Sequence, residues 1–229
     1  MKCDVFVSTR NLDVGLRSAR RNVDVGGVPV NTLNVSTCSL LSYCRYQTFQ
    51  KSTTEWTIIF DDDVEVEKGW FDQLSRYIAP DVIAVEGLIG YTGPARLLKK
   101  GERSYGGWNT LFRTDVYKKW KPDKWVRALD DYLLGQHGIK YGKWVRVPVK
   151  GKHTMNLERS AFRGGMGYRE VLGVKSVIMM GKLAAMIPIY SFKKNRYGIT
   201  QNTLAIKGIM SRPPNRKVAR KSSAANSKT

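Results

Sequence analysis

The run Trp56-Thr57-Ile58-Ile59-Phe60 ends in three consecutive aspartates, Asp61-Asp62-Asp63, and an amphipathic stretch from Glu67 to Ile78 follows. Carboxylates in the middle of a strand would be buried at heavy cost. At its C-terminal end they project into the crevice where open α/β sheets bind ligands. Three like charges this close repel one another, so the cluster calls for a neutralising cation. A hard divalent ion, Mg²⁺ or Mn²⁺, held by carboxylate oxygens and substrate phosphates, meets that need. A solvated acidic turn is the plain alternative.

The surrounding pattern alternates strands with helices. The spacing predicts strands over Cys3 to Ser8, Val28 to Val35 and Trp56 to Phe60, with a helix through Arg21 and another from Cys38 to Gln50. After the predicted helix of residues 67 to 78, Val82-Ile83-Ala84-Val85 reads as a buried strand, and Gly87, Gly90 and Gly93 mark a loop. Helices are expected from Thr114 to Trp120 and from Asp130 to His137, then a last strand from Tyr141 to Val149. This is an α/β chain beginning βαβαβ.

With 42% apolar residues the chain can bury a sizeable core, and a net charge of +20 is its second large feature. Twelve Lys or Arg and no Asp or Glu occur from Val171 to Thr229. That quarter opens on the apolar segment Val171 to Tyr190, whose Lys175 and Lys182 are seven residues apart and fall on nearly one helical face. Such a basic, amphipathic helix suits an anionic membrane surface. It equally suits a core or dimer contact. Residues 211–229 are polar and basic and are expected to form a disordered tail. Cys3, Cys38 and Cys44 show no metal-type spacing and are expected to be packed, reduced thiols. The chain enters a strand at once, and no apolar run reaches the roughly 18 to 20 residues of a membrane span, so the expected location is cytoplasmic, peripheral on the inner face of a membrane if the basic helix binds one.

Four stations together resemble the GT-A fold nucleotide-sugar glycosyltransferases, particularly the family-2-like inverting enzymes, along most of the first 155 residues. They are Val5-Phe6-Val7-Ser8-Thr9-Arg10-Asn11 at the first strand and its loop; Phe60-Asp61-Asp62-Asp63 with Gly69-Trp70-Phe71-Asp72-Gln73-Leu74; the glycine-containing segment Tyr105-Gly106-Gly107-Trp108-Asn109 to Tyr117; and Leu129-Asp130-Asp131-Tyr132, which is similar to the family's acidic "ED" station with Asp130 in place of Glu. The resemblance implies a GT-A, Rossmann-like mixed sheet flanked by helices in residues 1–155, beyond which the charge and apolar pattern reads as a C-terminal amphipathic, basic helical extension in 156–210. It implies a metal-dependent transferase moving a sugar from a UDP-, GDP- or dTDP-sugar to a hydroxyl with inversion.

By that resemblance Asp61 and Asp63 are the DxD pair and, with His153, hold Mn²⁺ or Mg²⁺. Thr9, Arg10, Asn11, Asp62, Gly106 and Gly107 line the donor site, Trp108, Asn109 and Asp130 the acceptor site, and Asp131 is the general base. Arg10, Arg113 and Lys152 are further candidates for phosphate contacts. No acid stands in the second strand to read a nucleotide base; Asn31 or Asn34 would be neutral partners there. The acceptor is a lipid-linked molecule, a glycan or a protein, the basic C-terminal quarter favouring one at a membrane. Two other classes remain open. A nucleic-acid-binding protein accounts for +20, six Trp and eleven Tyr but not for three aspartates at a strand exit. A non-catalytic scaffold of the same fold is the other.

Overall fold

Strand β1 (Cys3–Thr9) is buried along its whole length, and on either side of it lie β2 (Val30–Thr37) and β3 (Trp56–Asp61), both parallel to it. In the computed structural model, residues 1–37, 40–100, 109–122, 125–126, 130–154, 165–166, 169, 176–192 and 196–211 are described. Further strands are β4 (Val64–Val66), β5 (Val82–Ile89), β6 (Arg96–Leu97), β7 (Asn109–Arg113), β8 (Lys143–Val149) and β9 (Gly151–His153). Seven of them form one sheet in the order β2-β1-β3-β7-β5-β8-β6. β7 runs antiparallel to β3 and β5, and β6 antiparallel to β8, so the sheet is mixed. The β4–β9 pair is a separate antiparallel ribbon.

Period-2 alternation gives each central strand two apolar faces. Ile58, Phe60, Leu111 and Val85 pack with Ala19 of α1 (Leu12–Gly26) and Trp70 of α3 (Trp70–Ser75). Ile59, Phe112 and Ala84 pack on the other face with Phe49 of α2 (Leu41–Lys51), Tyr117 of α4 (Thr114–Lys118) and Leu134 of α5 (Asp130–Gly138). The sheet is therefore a middle layer between two helical layers. Gly15 sets how closely α1 sits: a Cβ there would lie 2.6 Å from Thr9 Cγ2 and 2.8 Å from Val35 Cγ1. At the opposite end of β1, buried Asp4 accepts hydrogen bonds from the N–H groups of Thr53 and Thr54 and from Asn31 and Thr32.

The chain divides into two compact units, residues 1–125 with 130–155, and residues 126–129 with 156–229. In the second, α6 (Ser176–Phe192) and α7 (Arg196–Met210) are the long helices, and Asn202 Nδ2 donates to the Leu183 carbonyl at 3.0 Å. Arg169 Nη1 donates to carbonyls at the end of α7.

Several sequence expectations shift. The helix foreseen at 67–78 shortens to six residues because β4 and a turn occupy its approach. Gly87 lies within β5 rather than in a loop. The segment ahead of Thr114 is a strand, β7. Cys3 is free, with burial pushing its thiol up to about 12, whereas Cys44 is disulfide-bonded, so the thiols are not all reduced. In α6, the expected amphipathic character gives way to a more apolar one. Met180, Leu183 and Ile187 form its half-buried side, while Val177, Ile178, Ala184, Ala185, Met186 and Pro188 are exposed beside Lys182. Residues 171–175, with Lys175, and the tail from 212 onward lie outside the described residues.

Candidate functional site

The parallel strands β1 and β3 deliver Thr9 and Asp61 to the same end of the sheet, Ser8 standing opposite Asp61 in register. Phe60 pairs with Asn109, so β7 starts at that end too. Thr9 is buried, and its hydroxyl donates to Asp62 Oδ2 at 2.5 Å while accepting from the Asn11 N–H at 3.1 Å. That pair links the first strand's loop to the acid cluster.

Asp63 is placed by the ribbon. Thr154 N donates to the Asp63 carbonyl at 2.9 Å, and Val64 stands opposite His153. The ribbon is in turn held by Asn22 of α1, whose Nδ2 donates to the Val64 carbonyl at 2.8 Å and whose Oδ1 accepts from the Val66 N–H at 3.0 Å. In consequence His153 Nε2 lies 3.4 Å from Asp63 Oδ1. Burial disfavours the charged imidazole, but Asp63, and Asp61 behind it, prevail and raise its pKa above the ordinary value.

Arg45, on α2, is fully buried beneath this group. It donates from Nη2 to Asp61 Oδ1 at 2.6 Å, from Nε to Asp130 Oδ2 at 3.3 Å and from Nη1 to Ser8 Oγ at 3.2 Å. Asp130 and Asp131 open α5, both buried. Burial pushes Asp61 up to about 7, with Arg45 pulling it down and Asp63 and Asp130 pushing it further up. Burial likewise raises Asp130, against Arg45 and with Asp131. Part of the neutralisation that the sequence assigns to a metal is thus supplied by a guanidinium within the fold.

The structure brings Thr9, Asp61, Asp62, Asp63, His153, Asp130 and Asp131 to one end of the first unit. Arg10 and Lys152 are exposed; Lys152 stands opposite Glu65 on the ribbon. Asn11 is committed as the N-cap of α1, its Oδ1 accepting from Asp13 N and Val14 N. Asn109 is fully buried and accepts from Trp70 Nε1 at 3.2 Å, which makes it a packing residue between α3 and the sheet rather than an acceptor contact. Arg113 pairs with Trp56 at the far end of β3 and cannot reach a phosphate held by the strand-end acids. Asn31 is bound to Asp4 at that same far end, 2.8 Å away. Gly106, Gly107 and Trp108 lie outside the described residues.

A divalent ion fits part of this arrangement. Asp63 Oδ1 is buried and accepts no hydrogen bond, and it faces an imidazole nitrogen. Among the described residues no three His, Cys, Asp or Glu side chains converge to hold an ion by themselves. An ion bound here would take most of its shell from other groups, as in sites where substrate phosphates complete a Mg²⁺ or Mn²⁺ shell.

No protein-family model and no curated protein matches the sequence. Solved structures do. The chain superposes on the mannosyltransferase PcManGT from Pyrobaculum calidifontis, solved in complex with GDP-Man and Mn²⁺, with a TM-score of 0.54 at 12% identity over 98% of this chain and 79% of that one. The fold is GT-A-like. Looser matches are the bifunctional IspDF from Campylobacter jejuni, with a TM-score of 0.47 at 11% identity over 66% of this chain and 50% of that one, and A197 from STIV, with 0.44 at 12% over 68% and 87%.

Proposed function

We propose that the protein is a metal-dependent glycosyltransferase that moves a sugar from a nucleotide-diphosphate donor to an acceptor hydroxyl with inversion. The observation carrying this reading is the pairing of two acid groups at one sheet end: Asp61–Asp63 with His153 at the exit of β3, and the buried Asp130–Asp131 start of α5, joined through Arg45. The shared fold supports it, since the mannosyltransferase of that fold was solved with a nucleotide sugar and Mn²⁺.

Asp63 and His153 would hold the ion, which when bound supplies positive charge to the departing diphosphate. Thr9 and Asp62 shape the donor loop between β1 and β3. Asp131 takes the proton of the acceptor hydroxyl; one base acting opposite the leaving group gives a single displacement and inversion. Gly106, Gly107, Trp108 and Arg10 are assigned to substrate contacts on sequence grounds, and Asp130 to the acceptor side.

The acceptor is proposed to be lipid-linked or membrane-associated. This rests on the exposed apolar side chains of α6 and the twelve uncompensated cations from Val171 onward. Among the described residues no helix is long and apolar enough to cross a membrane, so attachment would be at the surface. Incubation with a panel of nucleotide sugars and Mn²⁺ should release nucleoside diphosphate in the presence of a polyprenyl or lipid acceptor. Release with none of them, by a folded protein, would leave the scaffold reading, in which Arg45 and His153 balance the acids within the fold.

A further inference from the structure

We propose that Arg45 is a positioning residue of this site, fixing the acidic start of α5 against the end of β3 so that Asp131 is presented at the reacting centre. The inference rests on the transferase reading for its catalytic part only. One buried guanidinium meets groups from three separate elements: Ser8 on β1, Asp61 on β3 and Asp130 on α5. Its planar fork allows this. Two carboxylates and a hydroxyl at fixed angles match the donors of Arg, whereas an ammonium is a single point charge on a flexible stem.

A helix whose first turn carries two adjacent buried acids is expected to shift outward when the cation beneath it is removed, because desolvated like charges repel. Asp131 is the neighbour of the residue that Arg45 holds, so its carboxyl moves with the helix start. A displacement of about 1 Å in a reacting group is enough to lower a rate on the order of 10²-fold. Arg45 itself is buried beneath the acids and touches no substrate in this scheme.

The test compares Arg45→Lys, Arg45→Met and Arg45→Gly with the wild-type chain. Hydrogen exchange followed by mass spectrometry should show faster exchange across residues 130–138 in Arg45→Met, with the peptides of β3 and β5 unchanged. Turnover should fall on the order of 10²-fold in Arg45→Met and less in Arg45→Lys, while KM for the donor shifts by less than about 5-fold. Guanidinium ion at millimolar concentration should restore part of the turnover of Arg45→Gly, an effect that general loss of packing would not produce. If Arg45→Met is not folded, Arg45→Lys and the rescue carry the same comparison. Unaltered exchange at 130–138 in a folded variant overturns the proposal, as does unchanged turnover. A wild-type chain that transfers no sugar defeats the transferase reading instead, and the exchange measurement still decides whether Arg45 holds α5.

Discussion

A carboxylate that takes a proton from a hydroxyl must be held within hydrogen-bond reach of it and must stay ionised at the working pH. Asp131 is buried in the first turn of α5, next to the Asp130 that Arg45 holds. Replacing it with Asn keeps its shape, exchanges one acceptor oxygen for an amide donor and removes the proposed base. Asp131→Asn should bind donor as the parent chain does and turn over on the order of 10²-fold more slowly, and NMR of the parent's product should show inverted anomeric configuration. Retained configuration would contradict a single displacement. At the other end of β1, Asp4 serves stability. Burial alone would raise its pKa, but hydrogen bonds from Thr53 N, Asn31, Thr32 and Thr54 N outweigh burial and hold the carboxyl well below the usual carboxylate range. Its stabilisation is therefore complete above the unfolded value of about 4 and is lost as pH falls from there toward the folded value. Urea midpoints at pH 7 should be lower for Asp4→Asn than for the parent, the gap closing below about pH 4. A gap independent of pH would show that the charge of Asp4 contributes nothing.

The ribbon β4–β9 sets His153 opposite Val64, the residue that follows Asp63. Its three-residue strands have no period of their own, and it is pinned to α1 by Asn22 through one donor and one acceptor. Asn22→Ala leaves two buried backbone groups of β4 unpaired and should cost about 1–3 kcal/mol by chemical denaturation. The same variant should weaken Mn²⁺-dependent donor binding, since Val64 sits opposite His153. What the sequence discloses divides along this line. β1, β3 and the acid cluster are legible because the apolar runs Val5-Phe6-Val7 and Ile58-Ile59-Phe60 end abruptly in polar residues. α5 is legible from its paired acids. Arg45 is not, because one cation in Ser42-Tyr43-Cys44-Arg45-Tyr46 looks like any surface residue until the fold sets it under Asp61 and Asp130. The commitments of Asn11, Asn31 and Asn109 to a cap, to Asp4 and to Trp70 are equally invisible, being set by contacts distant in sequence or by one turn's geometry. α6 belongs here as well. Val177 and Ile178 are 58% and 63% exposed, so Ile178→Asp should reduce binding to anionic liposomes without changing the fold. Binding of the parent chain should fall but persist as NaCl rises, because salt screens charges over roughly 8–10 Å and leaves apolar contacts intact. Indifference of the parent chain to vesicles at low salt would remove the membrane from the account.

In the first unit a mixed sheet delivers the ends of β1 and β3 and the start of α5 to one place, and the last quarter of the sequence carries twelve Lys or Arg and no acid. In the proposed function Asp63 and His153 hold a divalent ion only together with the phosphates of a nucleotide sugar. Titration calorimetry with UDP-, GDP- and dTDP-sugars, each with Mn²⁺ and with EDTA, tests it most directly. The account predicts binding of one donor class that EDTA weakens at least 10-fold, and that Asp63→Ala weakens to the same level whether or not Mn²⁺ is present. Equal affinity with and without the metal, or full Mn²⁺-dependent binding by Asp63→Ala, would contradict it.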